Sequence, residues 1–145
     1  MKTKLRRLGV LLTLVLAVGG VFTAPASAGT QSTEATCTGA GSCWFTWGRI
    51  TRGDCTMDQA KWTLNRNGSA SFEAVIISND SNDAWLMWPV VTDTSGFVLG
   101  PVTHGGDPKF VRGTVKNQWT WWFDAGSFDP WLFDRIHSMS LSSSC

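Results

Sequence analysis

The chain has no tyrosine, two histidines and only two glutamates among 145 residues, and each scarcity removes a class of chemistry. With His104 and His137 as the sole imidazole bases, and with neither a Gly-x-Ser-x-Gly elbow nor a His-Glu-x-x-His pair, nothing announces nucleophilic or zinc-protease catalysis. A glycosidase needs two carboxylates held across a cleft, but Glu34 and Glu73 stand far apart in sequence and no paired signature stands out. Cys-x-x-Cys and closely spaced histidines are missing too, so zinc spacing is absent; no metal or cofactor is expected. Asn79 to Asp83 offers oxygen ligands at short spacing but lacks the glycine and distal glutamate of a calcium loop. Helical periodicity is lacking as well, since no segment repeats apolar residues every 3.6 positions for three turns.

What is present begins with a leader. Lys2, Lys4, Arg6 and Arg7 precede an apolar stretch from Leu8 to Phe22, and Ala26-Ser27-Ala28 offers the small residues that a signal peptidase requires. The stretch is short for a membrane span and no stop-transfer charges follow it. Residues 1–28 therefore read as a secretory signal peptide, and the expected product is secreted, extracellular and free of the membrane. Cutting after Ala28 leaves eight Lys and Arg against eleven Asp and Glu, a net charge of −3 rather than +1. The remaining cations are scattered singly, which excludes nucleic acid as a partner, because phosphate neutralisation needs a concentrated basic face. Residues 29–42 are small and polar and read as a flexible lead-in; residues 43–145 read as a single, monomeric β domain.

All four cysteines, Cys37, Cys43, Cys55 and Cys145, follow the leader in a chain sent to an oxidising compartment, so two disulfides are expected. Three pairings are open. The favoured one joins Cys37 to Cys43 across a Thr-Gly-Ala-Gly-Ser loop and Cys55 to Cys145, tying the chain end to an early strand. Closing the longer loop, of about 90 residues, stabilises by roughly 4 to 5 kcal/mol on the chain-entropy account.

Short segments of Trp, Phe, Val, Ile and Thr separated by Gly, Asn, Asp and Ser point to an all-β fold. Ala60, Trp62 and Leu64 alternate with Lys61, Thr63 and Asn65, the pattern of a strand with one buried face. Asn67-Gly68 then predicts a type I′ hairpin turn, with Ala70, Phe72, Ala74 and Ile76 resuming the alternation. Ala84 to Thr92 and Phe97 to Val102 form a second hairpin; Phe110 to Thr114, Gln118 to Phe123 and Ser138 to Ser144 are further strands. Asp129-Pro130 caps a short helical turn near the C-terminus. About eight antiparallel strands imply a sandwich or a small closed barrel.

Trp44-Phe45-Thr46-Trp47-Gly48-Arg49-Ile50, Gly53-Asp54-Cys55-Thr56-Met57-Asp58, Ala60-Lys61-Trp62-Thr63-Leu64, Asp83-Ala84-Trp85-Leu86-Met87-Trp88 and Phe128-Asp129-Pro130 together resemble a family of small secreted bacterial domains of uncharacterised function. The resemblance runs from about Cys43 to Cys145. It implies export and one compact domain, and it implies no activity.

Nine tryptophans are the compositional anomaly. An indole offers a large flat apolar face and one N–H donor, a combination suited to stacking on sugar rings or gripping a protein. Trp62 and Trp85 fall in phase with core positions, whereas adjacent Trp121 and Trp122 must point to opposite faces of a strand, as must Trp44 and Trp47. Trp44, Trp47, Trp119, Trp121 and Trp122 are the candidate ligand-binding residues. The expected function is non-catalytic binding of extracellular carbohydrate. The alternatives are a protein-binding module, such as a protease inhibitor presenting His104 to Pro108, and a small hydrolase using Asp and His in a cleft.

Overall fold

Alternating apolar and polar residues force most of the chain into strands, and the computed structural model, which describes residues 29–38 and 41–145, stacks them as two antiparallel sheets. The leader and its cut after Ala28 lie outside the described residues. In chain order the strands are β1 (Gly29–Glu34), β2 (Thr36–Thr38), β3 (Ser42–Trp47), β4 (Ile50–Arg52), β5 (Cys55–Asn65), β6 (Ser69–Ser78), β7 (Ala84–Thr92), β8 (Val98–Pro101), β9 (Phe110–Gly113), β10 (Thr120–Ser127) and β11 (Ser138–Ser144). One sheet runs β1-β11-β7, with β8 and β9 sharing the far side of β7. The other runs β10-β6-β5-β3-β2, with β4 beside β5. Each sheet keeps its own edges, so the architecture is a sandwich and the closed-barrel alternative is not supported.

The inner faces bury a row of rings. Trp62 of β5 lies 5.0 Å, centroid to centroid, from both Phe72 of β6 and Phe110 of the opposite sheet, and Phe72 lies 5.0 Å from Trp122 of β10. The Trp62–Phe110 and Phe72–Trp122 contacts are edge-to-face, at 76° and 78°, the geometry the ring quadrupoles prefer, while Trp62 and Phe72 are tilted by 37°. Met139 and Leu141 of β11 close the core beneath them, their intervening serines facing outward. Cys55, at the start of β5, is bonded to Cys145, just after β11, and so the bridge joins one sheet to the other. Cys37 is bonded to Cys43 across the directly paired β2 and β3.

Four local features differ from what composition suggests. Gly29–Glu34, read as a lead-in, pairs in full register with β11; small polar residues suit an edge strand whose faces need not both be buried. The β5–β6 turn has positive φ at Gly68 alone, not at Asn67, and the Gly68 N–H donates to the Asn65 carbonyl, giving a three-residue loop ending in a left-handed glycine rather than a type I′ turn. The apolar run from Trp44 to Ile50 is not one strand but is split at Gly48-Arg49 into β3 and β4. A register shift between Asp58 and Lys61, with Gln59 at φ 56°, is a bulge: it keeps Met57 and Ala60 both in the core, three residues apart. Asp129 caps a 3-10 helix (Pro130–Arg135) by accepting from the Trp131 N–H.

Candidate functional site

The bulge in β5 also brings Asp58 and Lys61 to the same outer face, opposite Val75 and Glu73 of β6. On that face the next strand, β10, places Trp121 opposite Val75 and Phe123 opposite Glu73. Strand alternation then sorts the aromatics: Trp119, Trp121 and Phe123 share one side and are 45%, 55% and 66% exposed, while Trp122 between them is 1% exposed and belongs to the core. The Trp121 and Phe123 rings are nearly parallel, 13° apart, with centroids separated by 5.7 Å.

Two ion pairs lie across this face. Lys61 Nζ is 3.0 Å from Glu73 Oε1, beside Phe123; Arg49 donates to Asp58 Oδ2 at 2.7 Å, and its guanidinium carbon sits 5.9 Å from the Trp119 ring centroid. Arg49, and then the Gln59 N–H, hold the Asp58 carboxyl below the ordinary value of 3.8. Shallow depressions flank the Lys61–Glu73 pair. One, of about 270 Å³, is bordered by Thr46, Gln59 and Trp121; the other, of about 230 Å³, by Thr63, Ser71, Phe123 and Asp124.

The free edge of β10 is capped. Arg112 donates to the Trp121 carbonyl at 3.4 Å, His104 Nδ1 contacts the Ala125 carbonyl at 2.9 Å, and Ser127 exchanges two backbone hydrogen bonds with Thr103. An edge so occupied is a poor template for an added strand.

Of the candidate residues, Trp119 and Trp121 lie on the exposed face. Trp44 is half-buried on the same face but three strands away, on β3, roughly 14 Å by strand spacing. Trp47, 6% exposed, and Trp122 are corrected to core positions, because both point between the sheets. Phe123 was not among the candidates, although its two-residue spacing from Trp121 carries the signal. Trp131 was also missed: it is 88% exposed on the 3-10 helix, beside the bidentate Arg66–Asp134 pair.

His104 and His137 are not remote from carboxylates. His104 Nδ1 lies 3.1 Å from Asp124 Oδ1, and His137 Nε2 lies 3.8 Å from Glu34. Asp124, however, already accepts from the Trp122 indole and the Ala125 N–H, and among the described residues no serine, threonine or cysteine side chain hydrogen-bonds to either histidine. The His104–Asp124 contact therefore pins the loop after Thr103 to β10. Asp83 sits near the Cys55–Cys145 bridge, but its carboxylate accepts from Ser78 and Ser81, and disulfide sulfurs offer no thiolate to a metal.

The profile of a family of unknown function (DUF6294) matches residues 61–145, from the middle of β5 to the C-terminus, and the chain belongs to that family. The matched span contains Lys61, Glu73, Trp119, Trp121 and Phe123, whereas Arg49 and Asp58 precede it. No curated protein and no solved structure matches the chain.

Proposed function

We propose that this chain is a secreted, non-catalytic module that binds extracellular carbohydrate on the outer face of β10, with Trp121 and Phe123 as the stacking residues. The observation that carries the reading is the exposed, parallel Trp121–Phe123 pair on a strand whose reverse side is locked into the core by Trp122. Large aromatics left in water on a rigid sheet contribute little to folding, and such clusters mark binding surfaces. Sugar rings present apolar C–H faces edged by hydroxyls, which suits aromatic rings bordered by Thr46, Gln59, Thr63 and Ser71. Two disulfides and the leader at residues 1–28 support export.

The protease-inhibitor reading is weaker on a specific ground. His104 and Asp107 exchange backbone hydrogen bonds around Gly105 and Gly106, both at positive φ, so the tip of that loop carries no side chain to fill a protease pocket. Co-sedimentation with a panel of insoluble polysaccharides tests the proposal. Retention of the native protein, and its loss in Trp121→Ala, is expected; no retention on any member refutes it.

A further inference from the structure

Nearly parallel rings at 5.7 Å are an offset stack, since side-by-side coplanar rings need a wider spacing. Each ring therefore turns one face toward its partner. The two rings border different depressions: that of about 270 Å³ is bordered by Trp121 and not Phe123, and that of about 230 Å³ by Phe123 and not Trp121. The Lys61–Glu73 pair is a partition with a depression on each side, Trp121 bordering one and Phe123 the other. Lys61 and Glu73 line both pockets, so their ammonium and carboxylate can donate to and accept from hydroxyls on either side.

The cations that flank the two pockets already have carboxylate partners. Lys61 is paired with Glu73 and Arg49 with Asp58, while Asp124, at the border of the second pocket, is in contact with His104. Arg112 lies at the strand edge, outside both pockets, with its guanidinium on the Trp121 carbonyl. Inside either pocket a carboxylate or sulfate on a ligand would have to break the Lys61–Glu73 pair to find a cation, leaving Glu73 uncompensated. Hydroxyls make no such demand.

Building on the carbohydrate reading, we infer that the ligand is an uncharged glycan of more than one sugar, one ring of which packs on Trp121 and another on Phe123. Two consequences separate this from glycan binding in general. Affinity rises with chain length, because a single sugar fills one pocket. Acidic glycans are rejected.

The test is calorimetric titration of the protein with glucose, with neutral hexasaccharides of glucose, xylose, mannose and N-acetylglucosamine, and with hexagalacturonate. At least one neutral hexasaccharide should bind about 10-fold or more tighter than its monosaccharide and than hexagalacturonate, and Trp121→Ala and Phe123→Ala should each weaken it by about 10-fold. Phe123→Leu keeps the apolar bulk but not the ring; it should also weaken binding, which guards against a folding defect in the alanine variants. Tighter binding of hexagalacturonate, or equal binding of monosaccharide and hexasaccharide, overturns the inference while leaving the carbohydrate reading intact. If no saccharide binds, or if the native protein dimerises through this face and Phe123→Ala abolishes the dimer, both fall.

Discussion

Replacing Trp122 and Trp121 by alanine, one at a time, asks whether adjacent identical residues do opposite jobs. A tryptophan buries roughly 150 to 250 Å², worth about 4 to 6 kcal/mol at about 25 cal/mol per Å², and measured deletions of buried Phe and Trp cost about 3 to 5 kcal/mol. Trp122 is buried against Phe72 at 5.0 Å and donates its indole N–H to Asp124, so the full cost applies to it. Trp121 is 55% exposed, so it loses less than half of that, about 2 kcal/mol with the stack on Phe123 included. The two variants should thus differ by about 2 kcal/mol, which at a urea slope of 1 to 3 kcal/mol per M separates their midpoints by about 0.7 to 2 M. Far-ultraviolet circular dichroism in urea, with disulfides intact, reads this without relying on the indoles removed. Equal midpoints for the two variants would refute the assignment of faces on which the site rests.

Three further outcomes follow from the same structure. Removing the inter-sheet bridge with Cys55→Ala/Cys145→Ala, which opens a loop with a sequence separation of 90, should lower stability by about 4 to 5 kcal/mol. Cys37→Ala/Cys43→Ala, at a separation of 6, should cost about 2 kcal/mol, and the order of melting temperatures checks both. Gly68→Ala places a Cβ 2.7 Å from the Phe128 carbonyl at φ +85°, whereas Gly96→Ala at φ +80° meets open space; the first should be the more destabilising, by about 1 to 2 kcal/mol, in thermal melts. Asp58, Asp83, Asp93 and Asp134 are held below the ordinary value of 3.8, by Arg49, Ser81, Ser95 and Arg66 respectively as the leading causes. Their unfolded forms bind protons first, so their contribution is complete above pH 3.8 and is lost as pH falls through the lower folded values. Stability measured from pH 6 down to pH 2 should therefore be flat and then fall, and Asp83→Asn should flatten the fall.

What the sequence makes legible is local. Ala60, Trp62 and Leu64 alternate because one face of β5 is packed, and Ser138–Ser144 reads as a strand because serines interleave with Met139 and Leu141. Asp129-Pro130 marks the 3-10 helix through its own capping chemistry. Long-range pairing leaves no such trace: nothing in Gly29–Glu34 says that it lies beside the last strand. Phase can also slip unseen, as at Gln59, where one bulge turns Lys61 to the same side as Asp58 and so assembles the polar half of the site. The aromatic half was nearer to hand. Trp119, Trp121 and Phe123 follow a two-residue period, but attention to tryptophan alone passes over Phe123 and admits Trp47 and Trp122, whose faces depend on which sheet covers them.

The most direct test of the central claim is the adsorption isotherm of the native protein and of Trp121→Ala/Phe123→Ala on the insoluble neutral polysaccharide that retains the native protein best. Saturable binding by the native protein is expected, with affinity lower by about 10-fold or more in the double variant and its fold intact by circular dichroism. Equal isotherms for the two proteins would contradict it.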